Sequence, residues 1–151
     1  MGITVEVAHH ATEELRQSLN NLLPQLSSSA PQLEITDLEA IIGSPAVTLF
    51  VAFDGTAVVG SLTLVIFPIP TGLRAWIEDV VVDEKARRRG VGAALSRAAL
   101  HEAQRRGVRS IDLTSRLSRE SAHQMYLKLG FATRDTNVYR FLVEPPEDYS
   151  Q

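Results

Sequence analysis

The sequence predicts a mixed α/β domain with antiparallel strands early and a βαβ crossover in its middle. Three observations carry this. Ile3 to Val7 alternates apolar and polar residues, and apolar runs follow at Val47 to Phe53, Val58 to Phe67 and Ala75 to Val82. Leucines and alanines recur at helical spacing between and after these runs. The 151 residues are 44% apolar and contain no linker long enough to divide them, so a single domain over 1–151 with one real core is expected.

Taken in order, Ile3 to Val7 is a short strand. Leu15, Leu19, Leu22, Leu23 and Leu26 fall on one helical face, with Thr12 as N-cap and Glu13 and Glu14 in the first turn. Pro24 puts the last turn of that helix in question. Thr36 and Glu39 stand at capping-box spacing before a short helix that Gly43 ends. Asp54-Gly55 joins the next two strands as a hairpin, and Pro68 and Pro70 are expected to break the second. Thr71-Gly72 turns the chain into the strand at Ala75 to Val82. A helix from Val91 to about Arg106 stops at Gly107, and Ser110 to Thr114 forms another strand. Ser118 caps a helix running to Leu129. Two last strands, near Phe131 to Thr136 and Val138 to Val143, flank a turn at Asp135 to Asn137. The expected order is β-α-α-β-β-β-α-β-α-β-β.

Composition narrows the function classes. A net charge of −3 gives no reason to expect nucleic acid or a membrane surface as partner. Leu62 to Ile69, the longest apolar stretch, is too short to span a bilayer, and the N-terminus lacks the features of a signal peptide. A soluble cytoplasmic protein is the default expectation. There is no cysteine, which excludes thiolate metal sites and an acyl-cysteine intermediate. His9 and His10 read as a solvated loop, and no metal is expected because no set of three or four ligands stands at metal-binding spacing.

The stretch Ala75 to Gly92 concentrates the chemistry. An apolar strand runs into an arginine-rich turn, and Gly90 and Gly92 open an alanine-rich helix. Such a helix start presents unpaired N–H groups and the positive end of its dipole, and glycines admit an anion close to the main chain. That suits a pyrophosphate. A dinucleotide fingerprint fails because Leu95 replaces its third small residue and seven residues separate Val82 from Gly90. The phosphate-loop signature of nucleotide triphosphatases does not occur.

These residues resemble the GNAT superfamily of acetyl-CoA-dependent N-acetyltransferases. Its first hallmark is a strand followed by Arg-x-x-Gly-x-Gly/Ala at a helix start, here Arg87-Arg88-Arg89-Gly90-Val91-Gly92 after Trp76 to Val82. Its second is an alanine-anchored helix ending in Tyr and then Gly-Phe, here Ala122 through Tyr126 to Gly130-Phe131. The resemblance implies a GNAT-like acyl-CoA N-acyltransferase fold and acetyl-CoA as co-substrate. Its contacts would be Val80, Val82, Arg87, Arg88, Arg89, Gly90, Val91, Gly92, Ala93, Arg119 and Tyr126. Many members carry Asn where this chain has Arg119, beside the cofactor arm.

The resemblance also implies roles. An alkyl amine with a pKa near 10 is about one part in a thousand neutral at pH 7, a cost of about 4 kcal/mol, so a carboxylate that takes its proton has a job. Glu78 occupies a position where the family often has an acid and is the expected base. Asp79 should face the other way unless a bulge intervenes, and a carboxylate inside so apolar a strand should be costly unless paired. Tyr126 stands where the family places the acid that protonates the departing thiolate. Trp76, Phe67, Pro68, Ile69 and Pro70 are candidates to line the acceptor site. The expected activity is transfer of an acetyl group to a primary amine of a small molecule or peptide by direct attack in a ternary complex. The alternative is a non-catalytic acyl-CoA-binding sensor or partner subunit of the same fold. Homodimers are common in the family, so a homodimer is also among the expectations.

Overall fold

The strands at Val47 to Asp54, Ala57 to Ile69 and Gly72 to Val82 carry apolar residues on both faces of a sheet, and helices cover both faces. The computed structural model describes residues 2–116 and 118–146. Its elements are β1 (Ile3–Val7), α1 (Glu13–Leu26), α2 (Ile35–Gly43), β2 (Val47–Asp54), β3 (Ala57–Ile69), β4 (Gly72–Val82), a 3-10 turn at Glu84–Ala86, α3 (Val91–Arg105), β5 (Ser110–Asp112) and α4 (Glu120–Lys128). The sheet order is β1-β2-β3-β4-β5, antiparallel except for the parallel pair β4-β5. The mixed α/β class and the central βαβ crossover stand as expected, with α3 as the crossover helix.

The two faces separate along β2. Phe50 and Ala52 join Leu62, Leu64, Ile66, Ala75 and Ile77 under Val91, Leu95 and Ala99 of α3. Leu49 and Val51 point the other way, against Leu19 of α1 and Leu38 of α2. This is the period-two rule of a strand buried on both sides. Thr12 caps α1 as expected, its hydroxyl accepting from the Leu15 N–H at 3.2 Å. Pro24 does not shorten that helix, which runs to Leu26.

Several local expectations are corrected. The capping box of α2 is Glu34 with Asp37, two residues earlier than Thr36 and Glu39, and Thr36 lies inside the helix. β3 continues through Pro68 to Ile69. The Ile66 N–H points toward the β2 side, where it donates to Ala46, so the missing N–H of Pro68 falls on that same side, beyond the end of β2. Ser118 does not cap α4; Arg119 is the N-cap residue and offers no side-chain bond. The strands expected at Phe131 to Thr136 and Val138 to Val143 are not formed, and residues 132–146 are exposed without regular structure. Alternation supplies a strand's faces but not its ladder partner, and nothing in the described chain pairs with these residues. No helix among the described residues is long and apolar enough to cross a membrane.

α3 lies unusually close to the sheet at Gly60. A Cβ there would meet the Val81 carbonyl oxygen at 2.9 Å, Val91 Cγ1 at 3.0 Å and Leu95 Cδ1 at 3.2 Å. The nearest atom is backbone and cannot rotate away. Gly60→Ala should therefore cost roughly 1–3 kcal/mol by overpacking. Urea unfolding checks this, and an unchanged midpoint would show that α3 can lift off without loss.

Candidate active site where β4 leaves β5

β4 and β5 pair over three residues only, Arg74 with Ser110, Ala75 with Ile111 and Trp76 with Asp112. From Ile77 onward β4 has no partner on that side among the described residues, and its edge N–H and C=O groups line an open fork. An ion pair between Arg74 and Asp112 ties the two strands where they still pair.

A β-bulge sits just beyond. Thr63 pairs with Glu78 and Ser61 with Val81, so Leu62 alone faces Asp79 and Val80. Asp79 takes a φ of +50°, a left-handed conformation that Asp tolerates better than most residues. The bulge breaks the alternation, and both Glu78 and Asp79 are exposed. The burial cost expected of an acid in this strand therefore does not arise. No ion pair involves Glu78 among the described residues, which removes a structural salt bridge as the reason for it. Thr63 and Val65, cross-strand partners of Glu78 and Trp76, share their face of the sheet. Trp76 and Phe67 are half-buried there, Ile69 is half-buried, and Pro68 and Pro70 are exposed.

Past Val82 the chain makes the loop that opens α3. The Asp83 carboxylate accepts from the Lys85 N–H at 3.1 Å, and Ala86 is buried. The Glu84 N–H donates to the Gln25 side chain at 3.0 Å, which ties the loop to α1. Arg88 (φ +66°) and Gly90 (φ +76°) are both left-handed. Gly90 is the N-cap of α3 and provides no side-chain bond, so Val91, Gly92 and Ala93 hold N–H groups that the helix itself cannot satisfy. A Cβ at Gly90 would meet only open space, whereas one at Gly92 would lie 3.3 Å from Met125 Sδ and 3.8 Å from Val82 Cγ2. Gly92 therefore sits in a cradle between β4 and α4. The Ser96 hydroxyl, fully buried, donates to the Gly92 carbonyl at 2.8 Å and secures this first turn.

The side chains named from the sequence divide into groups. Val91 is buried in the core and can offer only main chain to a ligand, while Val80 and Val82 are half-buried and pack against the same core. Ala93 is half-buried, and Arg87, Arg88 and Arg89 are exposed. Arg89 is engaged by Asp54 at 2.6 Å, across from the β2–β3 hairpin. That guanidinium holds the Asp54 carboxyl below its ordinary range, so the tie is present at neutral pH and is lost as pH falls through the depressed value.

On α4, Tyr126 is half-buried and its ring meets Phe131 edge-on at 5.5 Å. Burial raises its phenol pKa, and the positive charge of exposed Arg119 offsets part of that rise. A cleft of about 470 Å³ between α3 and α4 is lined by Ala93, Arg97, Ser121, Gln124, Met125, Lys128 and Leu129. Arg97 and Lys128 escaped notice in the sequence. Arg97 lies one helical turn beyond Ala93, and that spacing could have found it. His9 and His10 are exposed on the rim of a separate recess of about 400 Å³ beside α1.

The site makes a spectroscopic prediction. Ultraviolet titration of the protein minus its Tyr126→Phe variant should show the Tyr126 phenolate only above about 10, the ordinary tyrosine value. A midpoint at or below that value would contradict the burial of the hydroxyl.

Known proteins share this fold. The chain is 32% identical over 125 residues to the uncharacterized N-acetyltransferase YhdJ of Bacillus subtilis (strain 168), which covers 78% of this chain and 86% of that one. A putative acetyltransferase from Agrobacterium tumefaciens str. C58 superposes with a TM-score of 0.82 at 26% identity, over 92% of this chain and 99% of that one. A transcriptional regulator from Bacillus halodurans C-125 superposes with a TM-score of 0.80, also at 26% identity, over 93% and 99% of the two chains. The profile of the Acetyltransferase (GNAT) family matches residues 12–131, which contain the forked strands, the glycine loop, α3 and α4. The chain therefore belongs to the acetyltransferase (GNAT) family.

Proposed function

We propose that the protein moves the acetyl group of acetyl-CoA onto a primary amine by direct attack in a ternary complex. The observation that carries this reading is the uncapped N-terminus of α3 opening beside the unpaired edge of β4. In it, the N–H groups of Val91, Gly92 and Ala93 hold the diphosphate, and Arg87 and Arg88 add charge around it. Arg119 lies beside the cofactor arm, and the edge groups of Val80 and Val82 bind along it. Acetyl-CoA supplies the activated thioester.

Glu78 is the proposed base, hydrated and able to take the ammonium proton directly or through water, with Asp79 beside it on the same bulge. Tyr126 keeps its proton through the neutral range because burial favours the uncharged phenol. It therefore has a proton to give to a departing thiolate. The chain has no cysteine to carry the acyl group, which supports direct transfer. The acceptor is a small-molecule or peptide amine, and the N-acetyltransferase relative supports that class without narrowing it.

A second reading is a non-catalytic acyl-CoA-binding sensor or partner subunit, favoured by the regulator among the similar structures. The two part on turnover.

Thermal melting with acetyl-CoA at a hundredfold excess over Kd should raise Tm by roughly 5–10 °C, since binding then adds about 2.7 kcal/mol. NADH and ATP should give no shift. No shift with acetyl-CoA would remove both readings, and a shift without thiol release across an amine panel would favour the sensor. Given a turned-over amine, Tyr126→Phe should lower kcat tenfold or more with acetyl-CoA affinity nearly unchanged. An unaltered kcat would sink the acid assignment. Gly92→Glu should abolish acetyl-CoA binding by placing a carboxylate at the anion site, and a folded variant that still binds by calorimetry would refute the loop assignment.

A further inference from the structure

The recess beside α1 lies on the face of the sheet that α1 and α2 cover, at the β1 side, whereas the fork opens at β5. Its volume of about 400 Å³ is enough for a small molecule. Val51, which is buried, meets Phe53 and Val58 of the β2–β3 hairpin there, and Leu15 of α1 packs against the same cluster. The last three are half-buried, so apolar surface stays open to a ligand. No residue of the glycine loop, of β4 or of α4 takes part.

The space exists because small residues surround it. Ala8, Thr12 and Ser18 line the side where α1 begins, and a longer side chain at any of them would intrude. The start of α1 is not a competing anion site. Thr12 already caps it, and Glu13 and Glu14 in its first turn answer the helix dipole.

Charge selects the occupant. The recess is lined by two carboxylates, Glu6 of β1 and Glu14 of α1, and by no lysine or arginine. Both are exposed, and neither takes part in an ion pair among the described residues. Apolar walls with an acidic mouth match a molecule that has an apolar body and one ammonium group. A carboxylate or phosphate on the same body would be repelled.

We propose that this recess binds a small hydrophobic amine, its apolar body against Phe53 and Val58 and its ammonium at Glu6 and Glu14. The site stands apart from acetyl transfer and does not require it.

The test uses the full chain without acetyl-CoA and three probes of one shape: 2-phenylethylamine, 2-phenylethanol and 3-phenylpropanoate. Amide shifts in nuclear magnetic resonance should saturate at Leu15, Val51, Phe53 and Val58 with the amine, at a Kd of about 1 mM for a probe this small. The alcohol should bind more weakly and the carboxylate most weakly. Removing both charges, as Glu6→Gln with Glu14→Gln, should weaken the amine about tenfold and leave the alcohol unchanged. Ser18→Leu, which fills the recess from α1, should abolish binding of both. Glu78→Gln should leave the amine in place, which separates this recess from acceptor binding at the fork. Equal affinity for all three probes would overturn the proposal, as would shifts centred on Trp76 and Glu78. Absence of saturation below about 10 mM, where a probe of this size should already fill a formed site, would also overturn it.

Discussion

One residue in β4 has no counterpart in β3, and the site depends on it. Because Leu62 faces both Asp79 and Val80, the strand changes phase in the middle of a ladder. Before the bulge, Ala75 and Ile77 are buried in the core under α3; after it, Val80 and Val82 pack against that core, a switch from odd to even positions. Without the extra residue, strict alternation would carry Asp79 inward with Ala75 and Ile77, under α3. The bulge instead lets two adjacent carboxylates reach solvent while the core stays apolar on either side of them. The left-handed φ of Asp79 is the local cost, a form of strain that persists only where the surrounding ladder over-determines it. Here β3 supplies that constraint on one side, and the missing β5 pairing leaves room on the other.

The loop after β4 shows how main chain and side chain divide the work of meeting an anion. Three consecutive arginines suggest a purely electrostatic site, yet Arg89 is held by Asp54 and all three are solvent-exposed, where charge is screened. The directional groups are the N–H groups of the first turn of α3. Their aim depends on the seat of the helix, which Gly60 sets by close approach, and on the Ser96 hydroxyl that fixes the Gly92 carbonyl. Gln25 and Asp54 restrain the loop from two sides, through Glu84 and Arg89. The site is thus organised by buried and backbone contacts several residues away from any charge that would touch a ligand.

Much of this was legible in the sequence, for reasons that can be stated residue by residue. Thr12, the β2–β3 hairpin, the α3 stop at Gly107 and the glycine pair opening α3 are local signals, and local chemistry decides them. The bulge was not legible, because it arises from the register of β4 against β3 and no single residue type announces it. The shifted capping box of α2 shows a related limit: Thr36-x-x-Glu39 has the right spacing, but the helix begins two residues earlier, where Glu34 and Asp37 pair with each other's N–H groups. Pro68 looked like a break because a proline inside a strand lacks a donor. Its cost vanishes where β2 has already ended, which only the tertiary arrangement reveals. Arg97 and Lys128 join one cleft from two helices, a meeting that depends on how α3 and α4 pack.

The segment after Phe131 is the sharpest case of a pattern without a partner. Its β-branched and aromatic residues have strand propensity, and the structure leaves them without a ladder, since strand propensity expresses the fit to a pleated, covered surface more than a preference of the backbone. This bears on Tyr126. α4 is held from one side only, by Met125 against Gly92 and by the edge-on contact of Tyr126 with Phe131, and no residue of the helix is fully buried. A phenol whose protonation depends on burial is as well positioned as the helix that carries it. The contacts of Met125 with Gly92 and of Tyr126 with Phe131 therefore set how firmly the phenol is held, and both run through the short stretch that joins α4 to the first turn of α3 and to Phe131.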